Sequence, residues 1–292
     1  MGKKGKKAQA GKPKKLTPKD VGKRLDALVK KLEEELKGAD LFAPLLPTED
    51  CAICFVPLCR TSIKSSETFY MACCGKDICK ACFKENRESI NKQNEEKKAG
   101  KKLVFTCPFC REPIPTSSGE EYARLQARCL QNDHMAFTLK GYLYRRGEGG
   151  MPKDDLKALD CWIRAVELGS PDACACIAGR YTKGIEVAID TKRVTLFTKV
   201  GALRGSLVAR YNIGCLEYDL DNHEIGIRNW KIAAEAGLQE SIEALKKIYN
   251  AYGKKPGKEF ISKEYLDFAY RACHGAQMEE KSEEREKHSG VK

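Results

Sequence analysis

The second half of the chain carries apolar residues at the spacing of one helix face. Within one segment they recur three or four positions apart, at Leu156, Leu159, Ile163 and Val166. Residues with this spacing lie on the same side of an α-helix, and the polar residues between them face water. The pattern therefore predicts an amphipathic helix whose apolar side has to pack against a neighbour.

This pattern recurs along residues 133–275 in units of two helices. Three matching units begin at Ala136, Ala173 and Ala209, which are 37 and then 36 positions apart, and a weaker fourth unit begins near Ser241. A single unit cannot bury its own apolar stripe, so stacked units are needed to form a core. We therefore predict an α-helical repeat solenoid over this range.

Matched positions in the units share a residue type. One position is small, a second is aromatic, and a third is a glycine where a helix should end: Gly141, Ala178 and Gly214; Trp162, Phe197 and Trp230; Gly169, Gly205 and Gly237. We expect the small residues to let two helices approach closely and the aromatic residues to fill the space between neighbouring units. The glycines suit left-handed helix caps.

The first unit resembles a Sel-one-like repeat, a relative of the tetratricopeptide repeat. The residues that carry the resemblance are Gly141, Tyr144, the "GEGG" loop at 147–150, Asp154-x-x-Lys157-Ala158 and Trp162-x-x-Ala165-x-Glu167-x-Gly169. The second unit is degraded in its later part, and the third lacks the glycine-rich loop. The resemblance implies a concave surface that docks other proteins, and a purely structural solenoid is the alternative.

Two more helices are predicted before the repeats. Residues 116–132 form a linking helix, in which Ser117 and Glu120 fit a capping box. Its apolar face should pack on the first repeat and consists of Tyr122, Leu125 and Cys129. Residues 17–47 contain a helix with Thr17 as its cap. Its single apolar stripe can pack either on the cysteine-rich segment described below or on a partner helix. The stripe comprises Leu25, Leu28, Val29, Leu32 and Leu36.

Charge is concentrated at the amino terminus. The chain of 292 residues has a formal charge of +12, and residues 1–24 hold ten Lys or Arg against one Asp. We predict disordered tails at residues 1–16 and 276–292. The basic tail either keeps the chain soluble, acts as a nuclear address, or contacts acidic partners such as RNA.

The sequence predicts an intracellular protein, cytoplasmic or nuclear. The amino terminus lacks the apolar core of a secretory signal. No apolar run reaches about 18 residues, so no membrane span is expected. Fifteen cysteines in a reducing compartment indicate metal ligands more than disulfides.

Eight of these cysteines come in four pairs between residues 51 and 110. The pairs are Cys51 and Cys54, Cys73 and Cys74, Cys79 and Cys82, and Cys107 and Cys110. Two thiolates separated by two residues reach one tetrahedral zinc ion from a single tight turn. The second and third pairs lie only four residues apart, too close to fold independently. We therefore predict two closed four-sulfur zinc sites, in which pairs one and three hold one ion and pairs two and four the other.

The adjacent cysteines of the second pair need a special turn. In an extended chain, neighbouring side chains point to opposite faces, so Cys73 and Cys74 reach one ion only if the backbone turns at once. Gly75 can supply that turn. The alternative is that one of the two thiols is free and that Cys59 or Asp77 completes the site.

Residues 48–115 resemble a RING finger of the all-cysteine variety. The resemblance rests on the spacing and order of the cysteine pairs and on three neighbours: Ile53, Pro108 and Arg111. It implies that Ile53 and Pro108 help form a groove for a ubiquitin-conjugating enzyme. Arg111 would then hydrogen-bond to that enzyme and its ubiquitin. No Trp occurs between Cys82 and Cys110, where many family members have one, so Ile90, Val104 or Phe105 would have to substitute.

The sequence thus predicts a mainly α protein, with a small two-zinc cross-brace RING finger and an α-helical repeat solenoid. The favoured function is a RING-type ubiquitin ligase without a catalytic nucleophile of its own, whose repeats bind a protein substrate. A non-enzymatic zinc-finger and repeat scaffold is the main alternative. A nucleic-acid-associated protein led by the basic tail is the third. The remaining cysteines of the helices are expected to fill cores: Cys129, Cys161, Cys174, Cys176, Cys215 and Cys273.

Overall fold

The computed structural model describes residues 16–43, 45, 49–56, 58, 68–96, 104–252 and 261–279. In these ranges the chain is mainly helical, as predicted, with one small sheet. The elements are α1 Pro18–Leu36, β1 Thr68–Met71, β2 Lys76–Cys79, α2 Lys80–Glu96, α3 Ser118–Leu130, α4 His134–Arg146, α5 Asp155–Glu167, α6 Pro171–Lys183, α7 Thr191–Leu203, α8 Leu207–Asp219, α9 His223–Glu235, α10 Gln239–Tyr252 and α11 Lys263–Glu279. None of the helices described is long and apolar enough to cross a bilayer.

Three sequence predictions fall outside the described residues. They concern nearly all of the basic tail at 1–16, most of the tail at 276–292, and Cys59. The boundaries drawn from the sequence between tails, finger, linking helix and repeats likewise stay predictions.

The cysteine-rich segment at residues 48–115, called the finger below, contains a hairpin followed directly by a helix. Strands β1 and β2 pair antiparallel, with Thr68 opposite Cys79 and Met71 opposite Lys76. Helix α2 begins at the residue after β2, and the ring of Phe83 in its first turn stacks on Phe69 at a centroid distance of 4.4 Å. This stacking fixes the helix against the hairpin, so the cysteines on both elements have defined positions.

The repeats form four successive helical hairpins. They are α4–α5, α6–α7, α8–α9 and α10–α11, and each of the first three packs its second helix on the first helix of the next. The glycine caps are confirmed, since Gly169, Gly205 and Gly237 have φ angles of 98°, 98° and 93°. Ser and Asp side chains cap the starts of several helices, as Ser170 does by accepting from the Ala173 amide at 3.2 Å.

Two of the aromatic residues lie across their own hairpins, a contact that the sequence did not predict. The indole of Trp162 in α5 lies against Gly141 in α4 and donates to the Thr138 carbonyl at 3.2 Å. Trp230 in α9 repeats this with Gly214 and the Tyr211 carbonyl in α8. The ring reaches across one hairpin because a glycine opposite it leaves room. Trp162 also contacts the next unit, since the guanidinium of Arg180 in α6 lies 4.9 Å from the Trp162 ring centroid.

Helix α1 packs on the repeats, against α5 and α7. It begins as predicted, with the Thr17 hydroxyl accepting from the Asp20 amide at 3.2 Å. Its buried residues face α5 and α7, and they are Val21, Leu25, Leu28, Val29 and Leu32. Ion pairs flank this apolar seam, among them Arg204 with Glu35 at 2.8 Å. The second helices of the first two hairpins are therefore covered.

The segment after α1 continues along the repeats. The Leu41 carbonyl accepts a hydrogen bond from the buried Arg210 guanidinium in α8. Phe42 lies under Arg228 of α9, with 3.9 Å from the guanidinium carbon to the ring centroid. Residues 18–42 thus extend the cover from the first hairpin to the third.

The linking helix α3 is capped as expected and packs on the first repeat. The Ser117 hydroxyl accepts from the Glu120 amide at 3.3 Å, and the Glu120 carboxylate accepts from the Thr116 amide at 3.1 Å. Leu125 and Cys129 are buried together with Ala136 of α4. The apolar face of α3 thus packs on the first helix of the repeats.

Candidate metal centres

The first and fourth cysteine pairs form two turns of the same backbone shape. The Phe55 amide donates to the Cys51 carbonyl at 2.9 Å, and the Arg111 amide donates to the Cys107 carbonyl at 2.9 Å. Phe55 and Arg111 each follow the second cysteine and have φ angles of 58° and 66°. Bulky side chains rarely adopt this left-handed conformation, so each turn is held by its surroundings.

Backbone amides point at sulfurs of the first, third and fourth cysteine pairs. The Cys110 amide lies 3.5 Å from the Cys107 sulfur, the Cys82 amide lies 3.5 Å from the Cys79 sulfur, and the Cys79 amide lies 3.4 Å from the Cys51 sulfur. An N–H group directed at sulfur favours the thiolate over the thiol. The backbone is thus arranged for thiolate ligands.

The second pair lies in the turn of the β-hairpin. Gly75 has a φ of 69°, and its amide donates to the Met71 carbonyl at 2.8 Å. This left-handed residue closes a tight four-residue turn over 72–75. The side chains of Cys73 and Cys74 therefore both point towards Cys107 and Cys110. This is the arrangement that the turn at Gly75 was expected to allow.

The eight thiols lie in two groups with crossed pairing. One group contains Cys51, Cys54, Cys79 and Cys82, and the other contains Cys73, Cys74, Cys107 and Cys110. Within each group the sulfurs all lie within 4.8 Å of one another. Measured pairs are 3.8 Å for Cys54 and Cys79, 3.9 Å for Cys74 and Cys107, and 3.4 Å for Cys73 and Cys110.

These distances fit a tetrahedral ion. Four sulfurs each about 2.3 Å from one ion lie about 3.8 Å apart, whereas a disulfide needs about 2.05 Å. Burial raises the pKa of the Cys74 thiol to about 11, and a hydrogen bond from Cys82 lowers the pKa of Cys79 to about 5. A cation would let all four sulfurs of a group be thiolates despite their mutual repulsion. The two groups can therefore hold metal ions.

Asp77 belongs to neither group. It lies in β2 opposite Tyr70, and burial raises the pKa of its carboxyl to about 6. The alternative that Asp77 replaces a cysteine therefore finds no support in the described geometry. Cys59, the other alternative, lies outside the described residues.

The residues proposed for partner binding lie in or directly after the two turns formed by residues 51–54 and 107–110. Ile53 is 36% exposed in the first, Pro108 is half-buried in the second, and Arg111 is exposed directly after it. Two exposed aromatics beside them were not singled out from the sequence, namely Phe55 at 75% and Phe109 at 45% exposure. Their signal was an apolar residue within or just after a C-x-x-C turn.

The three candidates for the missing Trp differ in exposure. Val104 is exposed, whereas Ile90 and Phe105 are half-buried. Arg87 of α2 covers the Phe105 ring, with 5.6 Å from the guanidinium carbon to the ring centroid. Val104 is thus the residue of the three that is freest to meet a partner.

The cysteines of the helices lie apart from both groups. Cys129, Cys161 and Cys174 are buried, and Cys176 donates to the Tyr142 hydroxyl at 3.1 Å. Cys215 is half-buried, and the side chain of Cys273 is not among those described. In the parts of the chain that the structure describes, no further cluster of three ligand side chains occurs.

Comparison with known proteins gave matches among solved structures alone. No protein-family model and no curated protein matches the chain. A Sel1 repeat protein from Oxalobacter formigenes is 30% identical over 53% of this chain and 64% of its own, with a TM-score of 0.45. The c5321 protective antigen of uropathogenic Escherichia coli strains, which displays an SLR fold, is 20% identical over 56% of this chain, with a TM-score of 0.44. The chain thus spans less than two thirds of the first of these proteins and 36% of the second.

Proposed function

We propose that the finger binds two zinc ions in a RING-type cross-brace. The observation that carries this proposal is the crossed grouping of eight cysteine sulfurs, with 3.4–3.9 Å between measured pairs. Donor sets made only of thiolates select soft metals such as zinc over magnesium or calcium. Four protein ligands leave no position for water, so the ions would hold the fold together and take no part in catalysis.

We further propose that the finger recruits a ubiquitin-conjugating enzyme charged with ubiquitin. Ile53 and Pro108 would offer the apolar contact, and the exposed Arg111 guanidinium would donate hydrogen bonds to the enzyme and its ubiquitin. Fixing the thioester in one orientation raises its rate of reaction without a nucleophile from this chain. The function proposed is therefore a RING-type ubiquitin ligase.

The repeats would hold the protein substrate. Four stacked hairpins of the Sel-one-like kind support a docking role, since such arrays present an extended surface. Helix α1 covers α5 and α7, so the surface left for a substrate is the one built mainly from the first helices of the hairpins.

An ubiquitination assay tests this proposal. The full chain is mixed with activating enzyme, ubiquitin and a panel of conjugating enzymes, and chain formation is followed. Ile53→Ala should abolish it and Arg111→Ala should reduce it by about 10-fold, the loss of one well-placed charged hydrogen bond. Ile185→Ala is the matched control, because Ile185 in the repeats is also 36% exposed.

A scaffold without ligase activity is the second candidate. Two features favour it: Arg87 lies over the Phe105 ring, and no Trp occurs between Cys82 and Cys110. Both reduce the apolar groove that a conjugating enzyme would contact. If protein that holds two zinc ions forms no ubiquitin chains with any enzyme of the panel, the scaffold function is favoured. Activity that survives Ile53→Ala would contradict the proposed mode of recruitment.

A further inference from the structure

The hairpin turn that carries Cys73 and Cys74 is also where the finger meets the repeats. Tyr70 and Ala72 pack against the buried cluster formed by Leu125, Cys129 and Ala136. These residues belong to α3 and to the first turn of α4. The second cysteine group is therefore built on a loop that is itself an interface.

One carboxylate joins three elements at this interface. Asp133 caps α4 by accepting from the amides of Met135 and Ala136 at 3.0 and 3.2 Å. Its other oxygen accepts from the Tyr70 hydroxyl at 2.7 Å and from Arg128 at 2.7 and 3.0 Å. Burial opposes the charge, but the hydrogen bonds from Tyr70 and Arg128 keep the pKa of Asp133 below its ordinary value.

Arg128 reaches from this carboxylate to the cysteine turn. Its guanidinium lies against the Cα of Gly75, where an added Cβ would overlap it. Gly75 is the residue directly after Cys74, and the side chain of Arg128 is largely buried. The guanidinium thus fills a socket that only a glycine at this position leaves open.

The charge of a loaded centre suits this neighbour. A divalent ion with four thiolates carries a net negative charge, whereas four protonated thiols carry none. A guanidinium held beside the turn is attracted to the loaded state, and its ion pair with Asp133 reduces this attraction without abolishing it. The first cysteine group, which contains Cys51, Cys54, Cys79 and Cys82, shows no such contact with α3 or α4 among the described residues.

We propose that metal at the second centre locks the finger onto the repeats through Arg128, which acts as a positioning residue with Asp133 and Tyr70. This inference rests on the zinc binding proposed above and adds to it. Loading of the centre formed by Cys73, Cys74, Cys107 and Cys110 fixes the orientation between the surface proposed to bind the conjugating enzyme and the surface proposed to bind substrate. The lock is reciprocal, so Arg128 in turn retains the metal.

The test compares Arg128→Gln with Arg124→Gln in the full, zinc-loaded chain. Arg124 lies one turn earlier on α3 and has no hydrogen bond to the described part of the finger. Release of zinc to a competing chelator is followed over time. Arg128→Gln should speed the loss of one of the two ions about 10-fold, the size of an ordinary coupling between sites, and leave the other unchanged. Arg124→Gln should release both at the wild-type rates.

Two further measurements make the test decisive. Tyr70→Phe keeps the ring and removes only the hydroxyl bonded to Asp133, so it should speed loss of the same ion if Arg128→Gln fails to fold. Hydrogen exchange of the wild-type chain should show the first turn of α4 opening about 10-fold more often after zinc removal. Ions released alike from all variants, or an α4 turn indifferent to zinc, would overturn the lock alone. A wild-type chain that takes up no zinc would overturn the metal proposal and the lock together.

Discussion

Two glycines of the repeats occupy positions where a methyl group would overlap an indole. A Cβ on Gly141 would meet Trp162, and a Cβ on Gly214 would meet Trp230. Both indoles also donate to a carbonyl of the helix that they cross, so they cannot shift without losing that bond. At this scale, the absence of a side chain sets the distance between two helices.

Gly141→Ala should therefore destabilise the repeats even though alanine favours helices. We expect the free energy of unfolding to fall by about 1–3 kcal/mol, the usual cost of an overpacked core. Gly179→Ala is the control, because Gly179 lies in a helix and has nothing within 4 Å of its added Cβ. It should raise stability by about 0.5–1 kcal/mol. Urea unfolding measures both, and a stabilised Gly141→Ala would contradict the packing described.

The sequence predicted which residues matter here better than it predicted what they contact. Matched positions revealed the small and aromatic classes, but spacing along a helix gives a face and not the neighbour on it. The cysteines were more informative, because their order allowed one crossed arrangement that the sulfur positions follow. The left-handed conformation at Phe55 and Arg111 had no signal, since neither residue is a glycine.

At the scale of elements, α1 shows how an interface can escape sequence reasoning. Its apolar stripe was evident from the sequence, but such a stripe can pack on any apolar surface and does not identify the one it contacts. Charged residues that are distant in sequence also line this contact, such as Asp26, which pairs with Arg193 at 2.8 Å. Only the fold brings them together, so the helix was assigned correctly and its position was not.

Leu25→Ala should weaken the repeats and not merely the amino-terminal helix. Leu25 is buried where α1 meets α5 and α7, and truncation of a core leucine costs about 2–5 kcal/mol. Lys31→Ala, on the exposed side of the same helix, should change stability by less than about 0.5 kcal/mol. Denaturant unfolding followed by far-ultraviolet circular dichroism measures both. Equal midpoints for the two variants would show that α1 is not part of the repeat core.

The whole molecule contains two kinds of core, joined at Asp133. The repeats bury large apolar side chains such as Trp162, Phe197 and Ile177. Apart from its cysteines, the finger buries only small clusters of apolar side chains in the described residues, chiefly Leu58, Met71 and Ile78. The joint itself was beyond prediction, because Tyr70 and Asp133 lie 63 residues apart and neither belongs to a motif.

Removal of metal should consequently unfold the finger and leave the repeats folded. A region with so few buried apolar residues depends on its ligand bonds for stability, as small zinc domains do. With a strong chelator, we expect hydrogen exchange to become rapid at residues 68–96, while residues 155–235 stay protected and their melting temperature moves by less than about 2 °C. Adding zinc back should restore the finger, whereas calcium should not, because thiolates bind it poorly. If the whole helical signal were lost in one cooperative step on chelation, the repeats would not have a core of their own, and the division into two cores would be wrong.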